Sequence, residues 1–182
     1  MMQAGSALAL PEGVERMALP APSTAATPLP CPAGPRTLAY LCFTSGSTGL
    51  PKAVEVEHRG ILRLVLGADW ADFGPAERVM QTGSLGFDVS TFEVWAPLLN
   101  GGTLIQPETD VPSLADYART IEADGVTTAW FTAGLFRHLV DARPDALARV
   151  RQVLAGGDAV SPDHALRLLE VAPGVRLING YG

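Results

Sequence analysis

From Thr37 onward the chain runs in short blocks whose hydrophobic period switches between two and about 3.6. Leu38-Ala39-Tyr40-Leu41-Cys42-Phe43 is a compact apolar run, the pattern of a buried strand. Val54-Glu55-Val56-Glu57 alternates as a half-buried strand does, and His58 to Leu66 follows a helical period. Arg78 to Thr82 predicts a strand. Ser90-Thr91-Phe92-Glu93 has the spacing of a capping box, with Ser90 as N-cap and Glu93 three places on. Asn100-Gly101 predicts the end of that helix. The series continues with strand Thr103 to Gln106, helix Ser113 to Ala123 and strand Val126 to Phe131. Thr132 is placed to cap a helix over Leu135 to Ala142, and strand Gln152 to Ala155 follows. Ser161-Pro162 opens another helix as N-cap and first-turn proline, before strand Val175 to Ile178.

Strands alternating with helices of this size predict βαβ units. The expected fold class is α/β, a mainly parallel sheet with flanking helices. Ligands of such sheets sit at the carboxyl ends of the strands, so the residues after each strand hold the candidate chemistry. Residues 1–36 have a different texture. Val14 to Leu19 fits one short strand, and residues 20–36 are too dense in proline for a helix or a central strand. The expected division is therefore residues 1–36, a partial strand and connector, and residues 37–182, the α/β body.

Charge and cysteine content narrow the function. The 13 Lys and Arg against 19 Asp and Glu leave a formal charge of −6, which argues against a nucleic-acid or anionic-membrane partner. Cys31 and Cys42 have no metal-ligand or disulfide spacing, which fits a reducing cytoplasm, and Cys42 reads as a small buried hydrophobe. No apolar run is long enough to span a membrane, and Met1 to Ser6 lacks the features of a signal peptide.

Thr44-Ser45-Gly46-Ser47-Thr48-Gly49-Leu50-Pro51-Lys52 directly follows the first strand. Gly46 and Gly49 allow tight turning and close approach to a ligand. The four hydroxyls and the loop N–H groups suit anionic oxygens, and Lys52 adds positive charge. Pro51 and Ala53 around Lys52 exclude a Walker loop, which needs Gly before and a hydroxyl after the lysine. Further on, Gly86-Phe87-Asp88-Val89-Ser90 puts a carboxylate just outside a helix. Asp88 there either supports the helix N-terminus or binds an ammonium group at a pocket mouth.

The stretch Leu38 to Lys52 resembles the "YTSGSTGxPKG" signature of adenylate-forming enzymes, with Phe43 for the usual Tyr and Ala53 for the usual Gly. Phe87-Asp88-Val89-Ser90 matches the "FDxS" motif of the amino-acid-activating branch, found in adenylation domains of nonribosomal peptide synthetases. His58 matches a further family position, although capping its own helix is the plainer role. Leu154-Ala155-Gly156-Gly157-Asp158 and the terminal Asn179-Gly180-Tyr181-Gly182 resemble two segments of the family's adenine site. The matches run in order over roughly residues 10 to 182.

The resemblance implies that the chain is part of the large N-terminal domain of such an enzyme. It implies that Thr44, Ser45, Gly46, Ser47, Thr48, Gly49 and Lys52 hold the ATP phosphates. It carries adenine contacts to Gly157, Asp158, Asn179 and Tyr181, and the substrate α-ammonium to Asp88. The side-chain pocket would comprise Val89, Phe92, Trp130, Leu154, Gly156 and Gly180. Phe92 and Trp130 fit plain core packing equally well as single residues. The lining is apolar throughout, so a charged side chain would lose its hydrogen bonds there. The pattern is similar to those for valine, with isoleucine or leucine next. The family uses ATP with Mg2+ and passes the aminoacyl group to phosphopantetheine on a peptidyl carrier domain beside condensation domains. The family's catalytic Lys and Mg2+-holding Glu have no counterpart in these 182 residues, so the expectation is a fragment inactive alone. An acyl-CoA synthetase-like ligase and a catalytically dead nucleotide-binding remnant are the rival readings.

Overall fold

A computed structural model describes residues 32–44 and 50–180. The strand expected over Val14 to Leu19, Cys31, most of the proline-rich connector, the loop 45–49, Tyr181 and Gly182 lie outside the described residues. The chain divides into two units, Met1–Ala33 and Gly34–Gly182, and the architecture below belongs to the second.

The elements run in the order β1 (Leu38–Thr44), β2 (Lys52–Glu57), α1 (His58–Val65), β3 (Arg78–Met80), α2 (Val89–Leu99), β4 (Thr103–Ile105), α3 (Leu114–Asp124), β5 (Thr128–Thr132), α4 (Ala133–Ala142), α5 (Pro144–Leu147), β6 (Gln152–Gly156), α6 (Pro162–Val171) and β7 (Arg176–Gly180). Five strands form one parallel sheet, as the strand–helix alternation predicts, and their order is β4-β3-β5-β6-β7. β1 and β2 stand apart as a two-stranded antiparallel ribbon.

Residue alternation along the strands sorts the sheet into two faces. Met80, Ala129, Phe131, Val153 and Ala155 join the larger core with residues of α3, α4, α5 and α6. Their neighbours Val79, Trp130, Leu154 and Ile178 join the smaller core with Val65 of α1 and Phe92 and Ala96 of α2. The chain leaves β3, goes out to β4, and returns past β3 to β5. Right-handed crossovers in opposite directions put α2 on one face and α3 on the other. That reversal opens a crevice at the carboxyl ends of β3 and β5.

Several local expectations change. β1 is not buried: Phe43 is 64% exposed and Leu38 and Leu41 are exposed, because the ribbon has no covering layer among the described residues. Cys42 is accordingly only half-buried. Thr44, expected as loop, ends β1 and pairs with Lys52 of β2. α1 has no side-chain cap; the His58 backbone N–H donates to Thr37 O (3.1 Å), and His58 is the first helical residue rather than a cap.

Ser90 does not cap α2. The helix starts at Val89, and the Ser90 hydroxyl donates to Phe87 O (2.6 Å), with Leu85 O farther off at 3.3 Å. Glu93 therefore has no capping role and is free to bind elsewhere. Thr132 does cap α4, accepting from Leu135 N (3.2 Å). Ser161 does not cap α6; its hydroxyl meets His164 Nδ1 at 2.7 Å, while Pro162 takes the first helical position as predicted. The capping box that does form is Ser113 with Asp116, at the start of α3.

Candidate active-site cleft

A cleft of about 960 Å3 opens where the crevice meets α1 and α2. Thr82 and Gly83 after β3, Trp130 and Thr132 of β5, Leu154 of β6, Gly157 after β6 and Gly180 of β7 supply the sheet side. Ile61 and Leu64 of α1 and Asp88, Val89, Thr91 and Phe92 around the start of α2 supply the helix side, with Tyr40 of the ribbon. The expected substrate residues Asp88, Val89, Phe92, Trp130, Leu154 and Gly180 thus share one cleft.

Asp88 is exposed at this cleft and makes no side-chain hydrogen bond or ion pair among the described residues. Its backbone is helical, and its side chain caps nothing. Among the described residues it is the only charged side chain in the lining. The cleft therefore offers one free carboxylate above an apolar floor, the complement of an ammonium group attached to an aliphatic body.

Gly156 is not in the lining. It is buried in β6 opposite Gly180 of β7, and a Cβ there would lie 2.4 Å from Gly180 O. Strand packing dictates this glycine. The expected adenine residues are not all together: Gly157 lines the cleft, whereas Asn179 lines a smaller cavity of about 240 Å3 with Ala155, Val160 and Leu177. Asp158 is exposed, and its Oδ1 accepts from Ala159 N (2.7 Å). Of the expected phosphate loop, Thr44 and Lys52 are exposed neighbours across the ribbon, the Thr44 hydroxyl donating to Lys52 O (3.5 Å). The register sets where the intervening loop begins and ends. Among the described residues no group of three His, Cys, Asp or Glu could hold a metal ion.

Glu93 is the residue whose role sequence reasoning missed. It is fully buried, yet its Oε1 accepts from the Thr82 backbone N–H (2.9 Å) and its Oε2 from the Gly83 N–H (3.1 Å). The Thr82 hydroxyl lies 2.9 Å from Glu93 Oε1 and 2.6 Å from Trp130 O. Burial pushes the Glu93 carboxyl up from the ordinary glutamate range, against the hydrogen bonds from Thr82 and Gly83, which pull it down. The carboxyl thereby ties the exit of β3 to α2 and to the Trp130 backbone. Gly83 permits this closeness, since a Cβ would come within 2.7 Å of Val89 Cγ1. The only sequence signal was an acidic residue in an otherwise uncharged helix.

Tyr40 was a second omission. Its hydroxyl lies 2.5 Å from Thr91 Oγ1, linking the ribbon to the helix that carries Phe92.

A parallel α/β sheet with a ligand cleft at its topological reversal is the class this architecture defines. Residues 4–182 match the AMP-binding enzyme family model, and the chain belongs to that family. It is 47% identical over 146 residues to a linear gramicidin synthase protein of Brevibacillus parabrevis, covering 80% of this chain and 3% of that protein. It is 42% identical over 151 residues to a plipastatin synthase protein of Bacillus subtilis (strain 168), covering 82% of this chain and 6% of that protein. Among solved structures, holo-PA1221, an NRPS protein containing adenylation and PCP domains bound to a vinylsulfonamide inhibitor, superposes with a TM-score of 0.81 at 39% identity. That match covers 88% of this chain and 28% of the other. The N-terminal subdomain of NpsA from Klebsiella oxytoca, in complex with anthranilyl-AMSN, matches with a TM-score of 0.77 at 33% identity, covering 82% of this chain and 39% of the other. The chain thus spans a small part of the synthetases it resembles. No helix among the described residues is long and apolar enough to cross a membrane.

Proposed function

We propose that this chain forms the amino-acid pocket and phosphate-loop region of an adenylation domain in a nonribosomal peptide synthetase. The substrate carboxylate attacks the α-phosphorus of ATP, forming the aminoacyl-adenylate and releasing pyrophosphate with its Mg2+. The aminoacyl group then passes to the thiol of phosphopantetheine on a peptidyl carrier domain, and AMP leaves. A condensation domain is the expected next neighbour in the assembly.

The observation that carries this reading is Asp88, a carboxylate without a side-chain partner among the described residues, in an otherwise uncharged cleft. It suits an α-ammonium group, which an acyl-CoA synthetase substrate lacks. Val89, Phe92, Trp130 and Leu154 favour an aliphatic side chain of modest size, valine first and isoleucine or leucine next. Thr44, Lys52 and the residues 45–49 between them are assigned to the ATP phosphates. Gly157, Asp158, Asn179 and Tyr181 are assigned to adenine. The anthranilyl group bound by the NpsA subdomain raises an aryl acid as a second reading, against which the free Asp88 carboxylate stands.

Amino-acid-dependent ATP–pyrophosphate exchange tests the proposal, on this chain and on a version extended through any flanking reading frame. Exchange with valine is the expected result. Exchange with an aryl acid and with no amino acid would transfer the chain to the second reading, and silence with every acid would favour the remnant.

A further inference from the structure

Phe92 lines the cleft, and two aromatic rings that do not line it pack on Phe92 from behind. The Trp70 ring lies 5.4 Å from that of Phe92, tilted by 54°, and the Phe73 ring lies 6.5 Å away at 73°. Trp70 and Phe73 also meet each other edge to face at 5.2 Å. The three rings form a closed triangle with one corner in the cleft. Trp70 Nε1–H donates to Leu64 O (3.1 Å), and Leu64 is another residue of the cleft wall. One indole therefore braces two sides of the cleft.

The segment carrying these rings, residues 66–77, contains no helix or strand, so it needs outside support to hold two rings in place. That support comes from the first residues of β6 and β7. The buried Gln152 side chain accepts from Asp72 N–H (2.6 Å) and donates to Asp72 O (3.0 Å). Arg176 pairs with Asp72 (3.1 Å) and donates to Trp70 O (3.1 Å). The side-chain amide grips the loop backbone as a neighbouring strand would.

We propose that Trp70 and Phe73 are specificity-determining residues that set how far Phe92 can retreat, and so the largest substrate side chain the cleft accepts. The proposal rests on the amino-acid-pocket reading above. Interiors are close-packed, so the Phe92 ring has no room to yield while both supporting rings are present. Shortening one of them opens space behind Phe92 that the ring can enter. A hydrophobic pocket discriminates about ten- to two-hundredfold per methylene, so a shift of this kind is visible in substrate preference.

The test is ATP–pyrophosphate exchange with valine, leucine and phenylalanine, on a version extended through any flanking reading frame and its Trp70→Leu and Trp70→Phe variants. In Trp70→Leu the kcat/KM ratio of phenylalanine to valine is expected to rise at least tenfold. In a Phe92→Leu background the same change should add little, because Phe92 transmits the effect. An equal loss for all three amino acids, which a merely structural role would produce, overturns the proposal, as does an unchanged ratio. Should Trp70→Leu not fold, Trp70→Phe keeps an aromatic ring, and a rise of a few fold in the ratio is the supporting result. If the unsubstituted protein activates no amino acid, the substrate reading fails. A crystal structure of a folded Trp70 variant then decides the packing claim: a Phe92 ring displaced towards position 70 supports it, and an unmoved ring overturns it.

Discussion

Glu93 Oε1 lies 2.9 Å from both the amide nitrogen and the hydroxyl oxygen of Thr82. This contact joins the segment just after β3 to the second turn of α2, and those two pieces of chain form one corner of the cleft. Replacing Glu93 with Ala removes the acceptor of the part-buried Thr82 and Gly83 N–H groups. The expected cost is about 1–3 kcal/mol, read as a lower urea midpoint. A loss below about 0.5 kcal/mol, the usual range of neutral surface changes, would show that the contact is dispensable.

The same residue makes stability depend on pH. Burial raises the folded-state pKa of Glu93 above its unfolded value, so the native state holds this proton more tightly. Its contribution is complete below the unfolded pKa and is lost as pH rises through the folded value. Relative to Glu93→Gln, the unsubstituted protein should therefore lose stability as pH climbs upward from the ordinary glutamate range. A pH-independent difference between the two would contradict the assigned direction.

Asp88→Ala should leave stability nearly unchanged, because the Asp88 side chain has no partner among the described residues. Its effect should fall on amino-acid use. Loss of one charge-assisted hydrogen bond predicts a fall of roughly ten- to a hundredfold in kcat/KM for the amino acid. Exchange kinetics at saturating ATP check this, and an unaltered kcat/KM would remove Asp88 from the ammonium site.

Gly156→Ala and Gly134→Ala should move stability in opposite directions. A Cβ at Gly156 would press on the Gly180 backbone, so overpacking should cost about 1–3 kcal/mol. At Gly134, in the first turn of α4, nothing lies within 4 Å of an added Cβ. Alanine there should stabilise by up to about 1 kcal/mol, through its helix propensity. Urea denaturation of the pair separates packing from propensity.

Tyr40→Phe removes the hydroxyl that meets Thr91 and keeps the ring. A double-mutant cycle with Thr91→Val should give a coupling of about 0.5–1.5 kcal/mol. Additive effects would mean that the ribbon and α2 are held together by other contacts.

Much of the architecture was legible because its signals are local. Period-two and period-3.6 blocks marked each strand of the described body to within two residues at either end, and β3 stopped short of Thr82 because that residue turns to Glu93. The four-residue α5 was too short for any period to show. Where short motifs failed, the reason was competition. Ser90 and Glu93 have the spacing of a capping box, but Ser113 and Asp116 form the actual one, because the N–H groups of Thr82 and Gly83 claim the Glu93 side chain.

The sequence by itself determined the α/β class and the order of elements, and placed a carboxylate, Asp88, at the start of a helix, since each depends on neighbours a few residues apart. Only the tertiary structure decided that β3 lies between β4 and β5, which sets where the cleft opens. It also decided that Gly156 answers to Gly180, and that Trp70 and Phe73 stand behind Phe92 on a loop held by Gln152. Those partners are separated by about twenty to eighty positions, and periodicity shows which face a residue turns inward but not which distant residue meets it.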